Sequence, residues 1–401
     1  MVALGIGAAL LFVMLTVSGY MGHRTGVPFP VMSRISFGIR GAQIPALVRG
    51  VVAIAWFGIQ TYLATKVPSV MVIALAPGAA SLEGTSFLGL SVLGWICFVA
   101  LWIVQVAIML YGMDGIRRYE AFAGPIVLFT LLALAVWMLV QVGGSIAFSI
   151  PDPLTGGEMW LHILGGASLW GVIYGTFLLN FCDFTRSAPT RRAIVRGNFW
   201  GIPLNILFFG VIAVVLAGGQ FRIDGRVISS PTDVVNTIPD TFLLVAASAA
   251  LLVLTVAVNL MANFVAPSYA LANLFPRVLT FRRAGVVSAA IGLAILPWNL
   301  YDNPVVIVYF LGVLGALFGI VAADYWLVRR GRIDVPALYS DDPAGPYHYR
   351  RGVNPRAVGA FLPSAAVAVA VALVPGSRIR SVPSRPWWSS PSPPGATTGP
   401  R

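Results

Sequence analysis

At the centre of a long apolar run stands Ala55-Trp56-Phe57-Gly58-Ile59-Gln60-Thr61, which places an indole and a primary amide four residues apart. On a helix this spacing puts Trp56 and Gln60 on one face, one turn above the other. Inside a bilayer an amide finds no water, so Gln60 is expected to face a protein interior or a water-filled cavity. Two interpretations remain open: the pair holds a small, flat, polar heterocycle, or Gln60 joins two helices and Trp56 merely packs.

The composition predicts a polytopic membrane protein. Of the 401 residues, 58% are hydrophobic and only 10% are charged, and the mean hydropathy is +0.86. A soluble globular protein carries roughly a quarter charged residues. The net charge of +12 does not indicate nucleic-acid binding, because the basic residues lie in short loops between apolar segments. Cys97 and Cys182 fall in or beside such segments and are expected to be small core residues rather than a disulfide or a metal pair.

Apolar segments of about the 20 residues that cross a bilayer recur along the chain. They comprise residues 2–20, 45–65, 88–112, 120–143, 161–181, 199–218, 241–265, 285–301, 304–328 and 356–374. The predicted fold class is therefore all-α, an integral membrane protein of about ten transmembrane helices. The predicted transporter domain covers residues 1–374, and residues 375–401 form a Pro/Ser/Arg-rich tail that is expected to be disordered.

The loops between these segments alternate in basic content. Those on one side hold only Lys66, Arg222 and Arg226. Those on the other side hold Arg24, Arg34, Arg40, Arg49, Arg117, Arg118, Arg186, Arg191, Arg192, Arg196, Arg277, Arg282, Arg283, Arg329, Arg330, Arg332, Arg350, Arg351 and Arg356. The positive-inside rule makes the Arg-rich loops cytoplasmic, and we expect a multi-pass protein of the cell membrane.

The seventh segment, 241–265, has a pattern of polar side chains similar to that of the second segment, but it crosses the membrane in the opposite direction. It carries Asn259 and Asn263, again two polar side chains four residues apart. Two such segments five apart predict a five-plus-five inverted repeat, in which substrate lies near the midplane at the repeat interface. Both asparagines fall nearer the cytoplasmic end of their segment than Trp56 does in its own, which helix tilt or a misplaced boundary would explain.

The fifth segment, 161–181, is a candidate for a broken helix. Four glycines fall within eleven residues, among them Gly171 and Gly175, and each weakens a helix by about 1 kcal/mol relative to alanine. Close packing of helices through small residues is the alternative. Tyr174 lies near mid-depth of this segment and is a candidate second aromatic wall for a ligand.

Three motifs carry a family resemblance. They are Phe29-Pro30-Val31-Met32-Ser33-Arg34-Ile35-Ser36-Phe37-Gly38-Ile39-Arg40-Gly41-Ala42, Trp56-Phe57-Gly58-Ile59-Gln60-Thr61 and Asn180-Phe181-Cys182-Asp183-Phe184-Thr185-Arg186. Together, over about residues 10–370, they resemble the nucleobase–cation symporter-1 family, whose members carry hydantoins, allantoin, uracil, cytosine and related bases. The first motif is closer to the hydantoin, allantoin and uracil branch than to the cytosine branch.

The resemblance implies roles in substrate binding. Trp56 resembles the indole that stacks on the substrate ring, and Gln60 the amide that bonds it. Tyr174 stands where the family often has a second stacking tryptophan, and Asn263 matches the amide on the other side of the ligand, with Asn259 one turn before it. A cyclic ureide suits such a site, since its ring lies between aromatic faces and its N–H and C=O edge meets amides.

The resemblance also bears on the coupling ion. Sodium-coupled members have adjacent Ser and Thr hydroxyls where this chain has Ala257 and Val258, so a sodium site of that design is doubtful. Proton coupling is implied instead, although no Asp, Glu or His lies at mid-depth. Asp183 and Glu120 lie at membrane boundaries and are expected to pair with nearby arginines. No cofactor is predicted.

The predicted function is secondary active transport, importing a nucleobase or a related cyclic ureide. By the resemblance, the segments correspond to family helices 2 to 11, so the fold is expected to lack the first and last helices. The alternative is a truncated remnant that inserts but does not transport. No clustered catalytic side chains and no phosphate loop occur, so neither an enzyme nor a primary pump is predicted.

Overall fold

The computed structural model describes residues 1–146, 155–225, 240–301 and 304–373, together with Val235 and Ile238. Within these ranges the regular structure is helical, apart from one short antiparallel hairpin and an isolated bridge between Arg350 and Val353. In the hairpin, β1 (Ser86–Phe87) pairs with β2 (Leu90–Ser91), with Phe87 opposite Leu90. The predicted tail at 375–401 lies outside the described residues.

The helices up to residue 146 alternate long membrane-length elements with short ones. They are α1 (Val2–Thr25), α2 (Phe29–Met32), α3 (Arg34–Phe37), α4 (Gln43–Ala64), α5 (Lys66–Leu75), a 3₁₀ helix at Pro77–Glu83, α6 (Val92–Leu110) and α7 (Gly112–Gln141).

The later part of the chain includes three short π-helical segments within its helices. Its described elements are α8 (Gly156–Ile173), α9 (Gly175–Asn180), α10 (Cys182–Thr185), α11 (Arg191–Phe199), a π segment at Trp200–Leu204, α12 (Asn205–Asp224), α13 (Thr241–Asn259), a π segment at Leu260–Phe264, α14 (Val265–Leu274), α15 (Phe281–Ala294), α16 (Pro297–Tyr301), α17 (Pro304–Ala323), a π segment at Asp324–Val328, a 3₁₀ helix at Pro336–Tyr339 and α18 (Pro355–Leu373).

Several helix ends follow from local side-chain chemistry. Ser91, Thr190, Asp240 and Thr280 each precede a helix, and each side chain accepts a hydrogen bond from the backbone N–H three residues later. Such a side chain satisfies one of the unpaired N–H groups of the first helical turn. α1 ends at Gly26, whose φ of 71° is the left-handed conformation that glycine adopts without steric cost.

Six helical stretches among the described residues are long and apolar enough to cross a membrane. They are Val2–Thr25, Gln43–Leu75, Val92–Leu110, Gly112–Gln141, Arg191–Ile223 and Thr241–Leu274, and two shorter apolar helices cover Val313–Val328 and Pro355–Ala370. The helical membrane fold therefore agrees with the prediction, whereas the number of about ten crossings stays a prediction.

The eighth predicted segment, 285–301, is divided between two helices. α15 ends at Ala294 and α16 begins at Pro297, and Leu296 between them has a φ of 49°. Proline has no N–H group, and its ring disfavours a helical conformation in the preceding residue. The prediction of one continuous helix was wrong because it gave apolar content more weight than Pro297.

The two helices that carry the polar pairs are longer than predicted. The stretch Gln43–Leu75 has 33 residues and Thr241–Leu274 has 34, or about 50 Å each at 1.5 Å per residue. Gln60 and Asn259 therefore both lie near the midpoints of their helices. The predicted end of the seventh segment at residue 265 was too early, because polar residues beyond it lower the apolar content. With that early end, Asn259 and Asn263 seemed to lie nearer the end of their helix than Trp56 does in its own.

Small residues let α4 approach its neighbours closely. A Cβ atom on Gly58 would lie 2.6 Å from the carbonyl oxygen of Gly292 in α15, so a larger side chain has no room at this crossing. α4 also packs against α14 and the π segment that precedes it, while α13 packs against α5 and α7. These contacts set the centre of α4 beside the junction of α13 and α14.

Candidate functional site

Gln60, Asn259 and Asn263 form one hydrogen-bonded amide cluster between α4 and the α13–α14 helix. Nδ2 of Asn263 donates to Oε1 of Gln60 at 2.7 Å and to Oδ1 of Asn259 at 2.9 Å. Both asparagines are buried, and Gln60 is half-buried. The structure thus brings together three of the residues that the sequence singled out.

The cluster continues into α6 through two residues that the sequence analysis missed. Nδ2 of Asn259 donates to Oε1 of Gln105 at 2.7 Å and to Oγ1 of Thr61 at 3.0 Å. Nε2 of Gln105 in turn donates to Thr61 Oγ1 at 3.1 Å. The available signal was Gln105 itself, an amide within the otherwise apolar run 88–112.

The pairing leaves one donor and one acceptor of the cluster unused. Gln60 engages its Oε1, and Asn263 engages its Nδ2. In the described part of the chain, Nε2 of Gln60 and Oδ1 of Asn263 have no protein partner, and neither is among the fully enclosed polar atoms. A donor on one helix and an acceptor on the other therefore remain available within the same amide pair at mid-helix.

Trp56 lies one turn before Gln60 on the same face of α4. Its indole is half-buried and packs against a core cluster that includes Leu179 and Leu314. The indole is therefore partly supported by the core. The structure is consistent with either interpretation of Trp56, and its stacking role stays a prediction.

Tyr174 lies at an interruption between two helices. α8 ends at Ile173, Tyr174 has φ −90° and ψ 4°, and α9 begins at Gly175. Gly171 falls in α8, at positions 169–173 whose side chains lie outside the described residues. Tyr174 packs against a separate cluster near α1, with its ring centroid 6.1 Å from that of Phe177, so its role as an aromatic wall remains a prediction.

Arg49 is the largest polar side chain near the cluster, and it is only 1% exposed. It lies seven residues before Trp56, which places both on one face of α4. Its Nη2 donates to the carbonyl oxygen of Ala262 at 2.8 Å, and its Nε donates to Thr176 O at 3.0 Å and to Asn180 Oδ1 at 3.2 Å. Arg49 thereby joins α4, α9 and the π segment.

The contact with Ala262 depends on the π-helical turn at Leu260–Phe264. A π turn interrupts the regular α-helical pattern of backbone hydrogen bonds, and such turns are frequent at functional sites. Here the carbonyl of Ala262 is bound by Arg49, directly before Asn263. The sequence analysis counted Arg49 among the basic loop residues, and this assignment was wrong because Arg49 lies within α4 and its side chain is buried between α4, α9 and the π segment.

The sequence of the chain matches a known protein family. The family model described as permease for cytosine/purines, uracil, thiamine, allantoin matches residues 1–383. The chain belongs to this family.

Individual permeases resemble the chain along most of its length. The allantoin permease of Bacillus subtilis is 33% identical over 375 residues, covering 91% of this chain and 76% of the relative. The purine-uracil permease of Arabidopsis thaliana is 32% identical and covers 92% of this chain, which spans 61% of that relative. The hydantoin permease of Microbacterium maritypicum is 31% identical, covering 93% of this chain and 74% of the relative.

A solved structure shares the fold of this permease-family chain. It is Mhp1, a nucleobase-cation-symport-1 family transporter in a closed conformation with bromovinylhydantoin bound. The TM-score is 0.71 at 23% identity, and the match covers 92% of this chain and 83% of Mhp1. The transporter fold class predicted from the sequence is confirmed, and family membership supports a multi-pass membrane transporter rather than an enzyme.

Ala257 and Val258 precede the amide cluster in this permease-family chain. Ala257 is buried and Val258 is 43% exposed, and neither side chain carries an oxygen atom. Sodium is held by several oxygen ligands, as other hard cations are, and these two positions supply none from their side chains. The doubt about a sodium site therefore stays a prediction from their chemistry.

Asp183 does not form the arginine pair that the sequence predicted. Its Oδ1 accepts the backbone N–H of Phe29 at 2.6 Å, and its Oδ2 accepts Nδ2 of Asn180 at 3.1 Å. Asp183 lies beyond the predicted span 161–181, and burial raises its pKa to about 6 despite these hydrogen bonds. Among the described residues, the ion pairs are instead Arg117–Asp114 and Arg329–Asp324, so the pair expected for Glu120 is also not formed.

Proposed function

We propose that this protein is a secondary active transporter that imports a nucleobase or a related cyclic ureide, such as uracil, allantoin or a hydantoin, coupled to protons. The observation that carries the proposal is the unused pair of polar atoms at mid-helix. Nε2 of Gln60 is a donor and Oδ1 of Asn263 is an acceptor. A cyclic ureide presents a C=O and an N–H in sequence along one edge, so both atoms find partners in it at once.

Rigid support of the two amides favours a binding role over simple helix pairing. Asn263 is held by Asn259, which is held in turn by Gln105 and Thr61. A side chain fixed by such a second layer of bonds loses little conformational freedom when ligand binds. Two amides that only joined helices would need no further layer, and each would be expected to use all of its polar atoms.

Trp56 is proposed as the plate beneath the ring of the substrate. It lies one turn from Gln60 on the same helical face, and its indole is supported by the core cluster against which it packs. Aromatic stacking contributes about 0.5–1.5 kcal/mol beyond the area that it buries. Tyr174 is proposed as the second wall, reached when the interrupted α8–α9 helix moves toward the ligand.

Proton coupling is proposed to use Asp183. A continuous path of hydrogen bonds leads from Asp183 through Asn180 to Arg49 and on to the carbonyl of Ala262, beside Asn263. A carboxyl group with a pKa of about 6 changes its protonation across the physiological range. Protonation of Asp183 would remove a negative charge that acts on the enclosed guanidinium of Arg49. The hydrogen bond from Arg49 to the carbonyl oxygen of Ala262 in the π segment would change as a result.

Uptake in cells tests this proposal. Cells that express the chain are expected to accumulate radiolabelled uracil, allantoin or hydantoin, and a protonophore is expected to abolish uptake while replacement of sodium leaves it unchanged. Trp56→Ala and Gln60→Ala should each abolish uptake at equal surface expression. Trp200→Ala and Gln141→Ala are matched controls, because both residues are exposed and distant in sequence from the cluster.

Three outcomes would contradict the proposal. Unchanged uptake in Trp56→Ala or Gln60→Ala would remove the assigned binding roles. Accumulation of none of the heterocycles by a well-expressed protein would remove the substrate class. Dependence on sodium with indifference to the protonophore would remove the coupling ion.

A further inference from the structure

A basic cavity lies at the Arg-rich end of the molecule and shares no residue with the amide cluster. Its volume is about 430 Å³. It is lined by Arg24 and Thr25 at the end of α1 and by residues 331–335 after the Val313–Val328 helix. Because two apolar helices end at its rim, the cavity lies at the depth where lipid headgroups meet a membrane protein.

Arg24 and Arg332 supply positive charge to this cavity. Both are exposed. Neither takes part in the ion pairs of the described residues, which are Arg117–Asp114 and Arg329–Asp324. Among the lining residues Asp334 carries a carboxylate, whose Oδ1 accepts the backbone N–H of Ala337 at 3.2 Å. The cavity therefore has an excess of positive charge, and the structure describes no protein acceptor for the side-chain donors of Arg24 or Arg332 among the residues it covers.

Local geometry holds Arg24 at the wall of the cavity. Gly331 has a φ of 69°, and its missing Cβ would lie 3.0 Å from Nη1 of Arg24, so the guanidinium rests directly over this glycine. Cε1 of Tyr325 lies 3.6 Å from this Cβ position on Gly331. The buried hydroxyl of Tyr325 has no hydrogen-bond partner among the described residues. Arg191 lies 5.6 Å from the ring centroid of Tyr20, one turn before Arg24 on α1.

We propose that this cavity binds the phosphate group of an anionic phospholipid. Guanidinium groups match phosphate oxygens with paired, charge-assisted hydrogen bonds, and basic pockets between membrane helices are suited to such headgroups. A free phosphate ion offers the same oxygens, but the surroundings favour a lipid. Leu327 and Val328, just before the cavity, are each 74% exposed and offer an apolar surface to acyl chains.

Lipid binding to the purified full-length chain tests the proposal. Native mass spectrometry would compare phosphatidylglycerol with phosphatidylcholine of identical acyl chains. Phosphatidylglycerol is expected to bind at least tenfold more tightly, and the double variant Arg24→Gln/Arg332→Gln is expected to lose this preference. The matched control, Arg277→Gln/Arg282→Gln, removes the same charge from two exposed residues at the start of α15 and in the loop before it, and it should retain the preference.

A variant of opposite sign separates charge recognition from misfolding. Asp334→Asn removes the negative charge of the cavity while an amide oxygen can still accept the N–H of Ala337, so the affinity for phosphatidylglycerol should rise severalfold. If the double arginine variant does not fold, this variant decides, and an unchanged affinity overturns the proposal.

Two further results would overturn the lipid assignment. One is equal binding of the two lipids, or an unchanged preference in a folded Arg24→Gln/Arg332→Gln variant. The other is displacement of phosphatidylglycerol by low-millimolar inorganic phosphate, which would show that the ligand is the soluble anion.

Discussion

Nδ2 of Asn263 lies 2.7 Å from Oε1 of Gln60, and this hydrogen bond joins the middles of two long helices. The bond fixes which amide atoms remain available, because it uses the acceptor of Gln60 and the donor of Asn263. The donor–acceptor edge proposed to meet the substrate therefore depends on both residues being present.

Asn263→Ala should weaken substrate binding about tenfold. The substitution removes one acceptor for the ligand and frees Oε1 of Gln60, so the Gln60 amide can rotate. A hydrogen bond contributes about 1 kcal/mol, and 1.4 kcal/mol corresponds to a factor of ten in affinity. Equilibrium binding of radiolabelled substrate to the purified variant measures the change.

Asn273 offers a matched control for this variant. Its Nδ2 donates to Oε1 of Gln43 at 3.2 Å, so the same kind of amide pair joins the same two helices near their ends. Asn273→Ala should leave affinity within a factor of two. Equal losses in both variants would mean that Asn263 acts only by joining helices.

Arg49→Met should destabilise the protein strongly. The variant leaves three acceptors, on Thr176, Asn180 and Ala262, without their donor in an enclosed site. A buried acceptor that loses its donor typically costs about 1–3 kcal/mol. Arg49→Lys should recover only part of the loss, because one ammonium group cannot reproduce the fork of the guanidinium.

Thermal unfolding in detergent, followed by gel filtration, measures the effect of the Arg49 variants. Arg277→Met serves as the control, since exposed substitutions usually change stability by about 0.5 kcal/mol or less. A stability for Arg49→Met equal to that of the control would mean that the three hydrogen bonds contribute nothing net.

The sequence predicted the helical membrane fold because apolar runs of bilayer length are an unambiguous signal. The second span, predicted at 45–65, corresponds to α4 at Gln43–Ala64, and α5 continues the same apolar stretch to Leu75. The errors arose where local chemistry competes with apolar content. Pro297 begins a new helix within an apolar run, and the α13–α14 helix extends past residue 265 through the buried Ser268 to Asn273, which bonds Gln43 of α4.

The candidate site was only partly predictable for a different reason. Gln60, Asn259 and Asn263 are polar residues in apolar runs at helical spacing, so pattern alone singled them out. Arg49 was assigned to a loop because arginine at the edge of an apolar run usually faces water. Its burial depends on acceptors from α9 and the π segment, which come together only in the folded chain.

Gly22→Ala should destabilise the packing of α1 on α10. The added Cβ would lie 2.5 Å from Cα of Cys182, a backbone atom that cannot move aside without shifting the helix. Overpacking of this kind costs about 1–3 kcal/mol. Gly5→Ala on the same helix is the control, because nothing lies within 4 Å of its Cβ position, and alanine there should be neutral or stabilising by up to about 1 kcal/mol. Equal melting temperatures for the two variants would contradict the close contact.

Asp183→Asn should remove a pH dependence from both stability and uptake. Burial raises the pKa of Asp183 from 3.8 to about 6, so between these values the folded chain binds a proton that the unfolded chain has released. The free energy of unfolding contributed by this site therefore falls as the pH rises from about 4 to about 6. Asparagine has no such proton, and the variant should show a flatter profile of melting temperature against pH.

Under the proposed coupling, uptake by Asp183→Asn should also lose the rise that acid external pH gives the unsubstituted protein. Asp114→Asn is the control, because the side chain of Asp114 is 84% exposed and its substitution should leave both profiles unchanged. If Asp183→Asn keeps the full acid stimulation of uptake, Asp183 is not the group that carries the proton, whatever happens to the melting profile.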